Sequence, residues 1–292
     1  MSRLGDRQDA GHGGSDGGHP VPALDEEERH DAERRMPPRA AVLHEAVGAV
    51  GEEELKRTPS ALTWSGLAAG LSMGFSMVAS GALKAYLPEM PYAHLLIAIG
   101  YSTGFVIVIL ARQQLFTENT LTVILPLMRR KDSHTFVNVA RLWAVVLVAN
   151  VIGALVFACV LARTQAVDSA TYESLRETAR IAQAPSFEVA LLRGVFAGWL
   201  IALVVWLLPF AESARIWVII FLTYIVGLGH LSHVIISSVD AGFLVFTGDS
   251  TWQAFLTHAF VPALLGNIIG GVAMVAALNH AQIVAGGGGV DA

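Results

Sequence analysis

The chain has 292 residues, of which 54% are hydrophobic and only 15% are charged, whereas roughly a quarter of a typical soluble domain is charged. Residues 1–60 carry 21 of the 43 charged side chains, and the whole net charge of −5 lies in them. The other 232 residues hold 11 basic and 11 acidic groups, which is too little charge for a soluble surface. The composition therefore excludes a soluble enzyme and a nucleic-acid-binding protein, and it predicts a membrane domain behind a polar N-terminal segment.

The N-terminal segment falls into two parts. Residues 1–38 are rich in Gly, Asp, Glu and His and contain no apolar signal-peptide core, so they predict a disordered cytoplasmic tail. Residues 39–57 predict an amphipathic helix with Val42, Ala46 and Val50 on one face, lying at the membrane surface or on a neighbouring subunit.

Six uncharged apolar runs have about the 20 residues that a transmembrane helix needs. They are Thr58–Leu83, Met90–Ala111, Leu142–Ala162, Gly194–Ala211, Ile216–Val239 and Ala254–Gln282. Residues 58–283 are therefore predicted to form six transmembrane helices, followed by a flexible tail at residues 284–292. The segment Leu115–Met128 is too short to span and follows the second run directly, so it predicts the second half of an interrupted helix. The Lys and Arg residues at the ends of the runs favour cytoplasmic termini.

Two short motifs recur along the predicted helices. Asn150 and Asn267 occupy the same place in ANVIGA and GNIIGG, 117 residues apart, and the glycine pairs of Gly66–Gly70 and Gly194–Gly198 recur at an offset of 128. Because each half contains three helices, an odd number, two equal halves have opposite topology. Inverted repeats of this kind build transporters and channels.

The repeat also predicts where the helices are interrupted. The offset of 117 maps Phe116, in the interrupted second helix, onto His233 in the fifth. Each half is thus predicted to contain a polar interruption at the same depth. Non-helical backbone occurs at that depth only where it lines a cavity or is buried in protein.

Three features together resemble the formate/nitrite transporter family: Leu115-Phe116-Thr117 after an apolar helix, a histidine in the interrupted fifth helix, and Pro262 followed by GNIIGG. The resemblance covers roughly residues 40–283. It implies an aquaporin-like all-α membrane fold with broken helices two and five, and a homopentamer in the inner membrane with one pore per subunit. The implied activity is transport of a small weak-acid anion such as formate, nitrite, hydrosulfide, acetate or lactate, with no enzymatic activity, cofactor or nucleic acid.

The resemblance also implies which residues form the centre of the pore. His233 matches the family's central pore histidine. Leu115, Phe116 and Thr117 match the loop that breaks the second helix, in which the threonine hydrogen-bonds the histidine.

Two apolar constrictions flank this histidine in the family. Phe105 matches the cytoplasmic constriction, with Tyr101 near it, and Val226 matches the periplasmic one, where a bulkier phenylalanine is usual. Ser237 stands where the family often has an asparagine, and its side chain is a weaker hydrogen-bond donor. These departures predict a divergent branch, whose substrate does not follow from the resemblance.

Charged residues near the pore are the second departure. The lysine that usually stands in the outer vestibule is missing, and only Arg180 is near that position. Arg112 and Glu118 flank the break in helix two. Arg112 either attracts anions at the inner vestibule or forms a salt bridge with Glu118 or Glu188. The salt bridge is favoured, because ionisable groups in a membrane are usually paired.

A second histidine, His230, lies three residues before His233. On a continuous helix both would share a face, where they would form either a proton relay or a metal site. No carboxylate or thiol completes a set of ligands, so no metal is expected, and a packed, hydrogen-bonded His230 is favoured over a relay. A membrane enzyme or sensor that uses this histidine pair is the least favoured function.

The chemistry of the pore follows from desolvation. A bare anion in a narrow apolar pore loses several kcal/mol of solvation, whereas its neutral acid does not. A histidine, with a reference pKa of about 6.5, is suited to sharing a proton. The sequence thus predicts that the anion is neutralised near His233, by a proton from the histidine or from water, and that its partners are the anion, protons and the lipid bilayer. The alternative is an aquaporin-like channel for a small neutral solute.

Overall fold

The computed structural model describes two parts of the chain, residues 25–35 and 39–285. The first part contains helix α1, Glu26–Arg35, which belongs to a unit separate from the rest. The second part contains all the other described helices. The predicted C-terminal tail is described only as far as Ala285, where the last helix ends.

Helix α1 lies inside the segment whose composition predicts disorder. A capping box starts the helix: Asp25 Oδ1 accepts the Glu28 N–H at 2.7 Å, and Glu28 Oε2 accepts the Asp25 N–H at 3.0 Å. These bonds satisfy two amides of the first turn, and they explain why a strongly charged segment is helical. The expectation of disorder is therefore not met in α1, while residues 1–24 and 36–38 of the predicted tail lie outside the described residues.

Helix α2, Ala40–Leu55, precedes the membrane crossings. It buries Val47 and Leu55 against the helices of its own subunit, while Val42 and Val50 are exposed. Val42 and Val50, two residues of the predicted apolar face, therefore lie outside the packing that buries Val47 and Leu55. One face of the helix packs on its own membrane domain, and contact of the exposed face with the membrane surface or a neighbouring subunit stays a prediction.

Six helical crossings follow, and two of them are broken. The unbroken first, third and fourth crossings are α3 (Pro59–Tyr86), α7 (Ser133–Arg163) and α9 (Phe187–Leu207). The broken second and fifth crossings are α4 (Ala93–Leu110) with α5 (Phe116–Thr122), and α10 (Arg215–Leu228) with α11 (Val234–Thr247). Within the described residues, five helices are long and apolar enough to span a membrane, and α11 is a shorter apolar helix. The predicted all-α membrane fold, with its breaks in helices two and five, is confirmed.

The remaining helices complete the chain. Helices α6 (Ile124–Arg130) and α8 (Ser169–Gln183) lie between crossings. The sixth crossing consists of α12 (Trp252–Ala254), α13 (Val261–Ile269) and α14 (Leu278–Ala285), joined by π-helical segments at Phe255–Phe260 and Gly270–Ala277.

Side-chain caps decide where several helices begin. Asp132 accepts the Thr135 N–H and starts α7 nine residues before the predicted Leu142. Asp168 accepts both the N–H and the hydroxyl of Thr171 at the start of α8, and these bonds lower the pKa of Asp168 to about 2. Such caps satisfy amides that have no partner within the helix.

Glycines let the crossings approach closely. A Cβ at Gly70 of α3 would lie 2.1 Å from the carbonyl oxygen of Asn150 on α7. A Cβ at Gly270 would lie 2.1 Å from the carbonyl oxygen of Val195 on α9. No side chain fits at these distances, so the paired small residues serve tight helix packing, as in other membrane bundles.

The structure corrects the register of the repeat. At the two breaks the Gln113 N–H donates to the Val108 carbonyl at 2.9 Å, and the Leu231 N–H donates to the Val226 carbonyl at 3.0 Å. These equivalent bonds are 118 residues apart, so His233 corresponds to Leu115 and the predicted pairing with Phe116 is wrong by one residue. The asparagine motifs keep their own offset because they lie on other helices, and the connecting segments of the two halves differ in length.

Candidate transport site

Asn150 stabilises the break in the first half by bonding its backbone groups. Its Oδ1 accepts the Phe116 N–H at 2.9 Å, and its Nδ2 donates to the carbonyls of Gly66 at 2.7 Å and Gln114 at 2.8 Å. Asn150 is fully buried. A broken helix inside a membrane leaves backbone groups that no lipid can satisfy, and this side chain satisfies three of them.

Asn267 does the same in the second half. Its Oδ1 accepts the Val234 N–H at 2.9 Å, and its Nδ2 donates to the carbonyls of Gly194 at 2.9 Å and Ser232 at 2.8 Å. The three bonds match those of Asn150 one by one. The repeated motif seen in the sequence thus supplies the side chain that supports each break.

His233, at the end of the second break, contacts Thr117, in the first turn of α5. His233 Nε2 lies 2.8 Å from Thr117 Oγ1, and both residues are buried. His233 also caps α11, because its Nδ1 accepts the Ile236 N–H at 3.4 Å. With Nδ1 accepting, a neutral ring carries its proton on Nε2 and donates it to Thr117.

Apolar side chains enclose this pair. The Phe105 ring centroid lies 4.9 Å from that of His233 at an interplanar angle of 72°, and 5.7 Å from that of Tyr101. Phe105, Leu115 and Val226 are completely buried, as is Phe116 to within 1%. The pore centre and the two constriction residues Phe105 and Val226 are thus water-excluded in the structure, whereas Tyr101 is only partly buried.

Two cavities lie on opposite sides of the buried pair. The Glu118 cavity, about 500 Å³, is lined by parts of α2, the first break and the start of α10. The Asp240 cavity, about 290 Å³, is lined by parts of α3, α4, α8 and the second break, with Tyr101, His230 and Ser237 among its walls.

The cavities are related by the inverted repeat. Seven residues of the Glu118 cavity have their 118-residue counterpart in the wall of the Asp240 cavity, and three of these pairs are Gln114 with Ser232, Glu118 with Ile236, and Thr122 with Asp240. Each cavity therefore has one carboxyl on the half-helix beyond the break. The two carboxyls are not at equivalent positions of the repeat, because Asp240 lies one helical turn beyond the counterpart of Glu118. Sequence reasoning treated Asp240 only as the end of the fifth crossing, and the correct repeat offset is the signal that would have placed it in a cavity.

The predicted salt bridge of Arg112 is wrong. Among the described residues Arg112 forms no ion pair with Glu118, Glu188 or any other acid; it is exposed and lines the Glu118 cavity. Its φ of 54° matches the φ of 48° at His230, its repeat counterpart, because both residues turn the chain at the end of a half-crossing.

Arg180 and His230 also differ from their predicted roles. Arg180 is exposed and donates to Asp249 at 2.8 Å, outside the Asp240 cavity. His230 is an exposed residue in the cavity wall instead of a packed one, and the break separates its face from that of His233. Within residues 25–35 and 39–285 no three His, Cys, Asp or Glu residues are grouped to hold a metal ion.

Glu54 of α2 is a cavity residue that sequence reasoning missed. Its Oε2 accepts from Gln114 Nε2 at 2.7 Å and from Arg57 at 3.2 Å. Gln114 in turn accepts from Asn119 Nδ2 at 3.1 Å, which ties α2 to the first break. The offset of 128 pairs Glu54 with Ala182, a wall residue of the Asp240 cavity. The repeat therefore already indicated that Glu54 lies in a cavity wall.

The family follows from a comparison with known proteins. A family model described as formate/nitrite transporter matches residues 41–281. The chain therefore belongs to the formate/nitrite transporter family, whose members are multi-pass membrane transporters and channels rather than enzymes.

Individual relatives agree with this assignment. Inner membrane protein YfdC of Escherichia coli (strain K12) is 39% identical over 251 residues, which cover 86% of this chain and 81% of that protein. The formate channel BtFdhC of Bacillus thuringiensis is 25% identical over 244 residues, covering 80% of this chain and 91% of that protein.

Solved structures share the fold. A pentameric formate channel with formate bound matches with a TM-score of 0.67 at 20% identity, over 77% of this chain and 98% of that chain. An ion channel of the same family matches with a TM-score of 0.73 at 17% identity, over 83% and 99%.

Proposed function

We propose that the protein carries a small monovalent weak-acid anion, such as formate or nitrite, across the membrane together with a proton. The observation that carries this proposal is the buried pair of His233 and Thr117 between the Glu118 cavity and the Asp240 cavity. The relatives support it, since one is a formate channel and one solved neighbour has formate bound. The active form is a homopentamer in the inner membrane, with one pore per subunit and both termini in the cytoplasm.

The proposed path crosses a dry region. An anion enters one cavity with its hydration shell. Between the cavities, Phe105, Val226 and His233 are buried, so the anion cannot keep this water as it passes them. Stripping an anion costs several kcal/mol, and protonation removes that cost. The solute therefore passes His233 as the neutral acid and releases its proton in the opposite cavity.

The test is flux into proteoliposomes for formate, nitrite, hydrosulfide and acetate at two outside pH values. Uptake of at least one anion is expected to rise as the outside pH falls. His233→Phe removes both ring nitrogens but keeps an aromatic ring, and we expect it to abolish proton-coupled uptake. His258→Phe is the matched control, because His258 is exposed, contacts the Pro185 carbonyl and lines neither cavity. Unchanged uptake in His233→Phe would contradict the proposal.

A channel for a small neutral solute is the second candidate. It is favoured by the carboxyl in each cavity, and by the engagement of Lys84, in the Asp240 cavity, with Glu177 at 3.0 Å. Such a channel predicts solute flux with no dependence on outside pH and no uptake of any of the four anions.

A further inference from the structure

Glu118 has a buried carboxyl oxygen that no described residue satisfies with a hydrogen bond. It lies on α5 in the wall of the Glu118 cavity, and its Oε1 is buried without any hydrogen-bond partner among the described residues. Gln113 Oε1, in the same wall, is also buried without a partner. Two buried acceptor oxygens in the wall of a cavity of about 500 Å³ call for a ligand that donates hydrogen bonds.

Glu54 faces the same cavity, but its carboxylate has hydrogen-bond donors. It accepts hydrogen bonds from Gln114 and Arg57, which are the partners of an ionised carboxylate. A second ionised carboxylate at Glu118 would share the cavity with this charge and would lack a donor at Oε1. Both costs disappear when Glu118 binds a proton.

The basic groups around the cavity do not neutralise Glu118. Arg57, two residues beyond the end of α2, pairs with Glu54, and Arg141 of α7 donates to the Leu55 carbonyl. In α6, Arg129 and Arg130 pair with Glu45 and Glu52, each at 2.7 Å. Arg112 and Arg215 line the cavity as exposed residues, and within the described part of the chain neither forms an ion pair.

We propose that Glu118 is the proton-binding group of this cavity and delivers the proton to the anion; this rests on the proposed function. The carboxylate takes a proton from hydronium and releases water. The carboxylic acid then transfers the proton to the incoming anion, which leaves as the neutral acid, and the carboxylate is restored.

The repeat makes this role specific to one cavity. The counterpart of Glu118 is Ile236, and the Asp240 cavity has its carboxyl one turn further along α11. The Glu118 cavity alone combines a carboxyl next to the break with a second carboxyl, Glu54, on the helix that precedes the first crossing.

The test is the pH profile of initial anion uptake by the full chain in proteoliposomes. Glu118→Gln keeps the shape of the side chain but carries no transferable proton. We expect uptake to fall roughly 100-fold near pH 7.5, the lower end of what a positioned proton donor contributes. The loss shrinks towards pH 5, where the bulk solution supplies the neutral acid. Glu118→Asp should recover part of the rate, and Glu45→Gln, an exposed member of an ion pair outside the cavity, serves as the matched control.

Glu54→Gln tests the coupling between the two carboxyls. The amide oxygen still accepts from Gln114, but the negative charge is gone, so Glu118 holds its proton less readily and the midpoint of the profile moves to lower pH. Wild-type uptake in Glu118→Gln at every pH overturns the proposal. An equal loss at all pH values also overturns it, since that is the signature of a structural role.

An infrared measurement separates this inference from the proposed function. The carbonyl stretch of a protonated carboxyl should appear in the wild-type protein and be missing in Glu118→Gln. If the wild type moves no anion at any pH, the proposed function fails, and the infrared band still decides whether Glu118 binds a proton. Absence of a band that depends on Glu118 overturns the inference.

Discussion

At the scale of single residues, the site depends on a hydrogen bond between two side chains 116 positions apart. His233 and Thr117 are buried, and each is the other's side-chain partner. The ring is held from its other nitrogen by the first turn of α11. The imidazole therefore has a fixed orientation towards α5, and this orientation is what a proton-sharing group needs.

Thr117→Val tests the value of this bond. Valine fills the same volume but leaves His233 Nε2 without a partner in a buried site, which costs about 1–3 kcal/mol. We expect a lower melting temperature in detergent and reduced proton-coupled uptake, with both restored in Thr117→Ser. A valine variant that melts and transports like the wild type would show that the contact has no energetic importance.

At the scale of elements, the half-helices exist because a side chain from another helix completes them. Asn150 and Asn267 each bond three backbone groups around a break. Arg112 and His230 turn the chain at equivalent points. The breaks are thus built by tertiary contacts, although their positions show in the local sequence.

Asn150→Leu tests this support. Leucine leaves three buried backbone groups without partners, and each costs about 1–3 kcal/mol, so we expect a large loss of melting temperature or of folded protein. Asn138→Leu is the matched control, because Asn138 lies on the same helix and its side chain bonds only His134 among the described residues. Equal stability of the two variants would contradict a supporting role for Asn150.

Helix α8 is joined to the turn after α11 by Asp249. Arg176 donates to Asp249 through Nε and Nη2 at 2.5 and 2.6 Å, and Arg180 and Thr247 donate at 2.8 Å. These donors hold the pKa of Asp249 well below its usual range. Because the folded-state pKa is the lower one, the stabilisation is fully present above roughly pH 4, the unfolded value, and is lost as the pH falls through the folded value.

Asp249→Asn should therefore melt at a lower temperature than the wild type at pH 7, and the difference should narrow below about pH 4. The measurement is a series of melting curves from pH 7 to pH 3. Glu89→Gln, an exposed carboxyl with no ion pair in the described residues, should show no such trend. A difference that stays constant with pH would refute the electrostatic explanation.

At the scale of the whole molecule, a single chain leaves much apolar surface uncovered. On α7 alone, Val148, Ile152, Val156 and Val160 are 47–57% exposed at intervals of one helical turn. In a membrane protein this surface meets lipid or other subunits. A solved neighbour of the same fold is a pentamer.

The proposed homopentamer predicts a particle mass in mild detergent of five times the 31.1 kDa of the chain, after subtraction of bound detergent. Native mass spectrometry measures this directly. A single-chain mass under conditions where transport activity is retained would contradict the proposed assembly.

The sequence by itself determined the membrane class, the six crossings, the positions of both breaks and the family. These features are local, because each depends on a run of apolar residues or on a short motif whose types can be read in order. Asn150 and Asn267 could be recognised as equivalent from their motifs alone.

Only the tertiary structure decided which side chains meet. It set the offset between the two breaks at 118 residues and buried Val47 of α2. It also placed Arg112 in the cavity wall without an ion pair to Glu118, and it brought Glu54 into contact with Gln114, 60 residues away. Such contacts depend on how far each helix is rotated and how closely glycines allow it to approach. A rotation of one residue, about 100°, moves a side chain from a cavity wall to a packed interface.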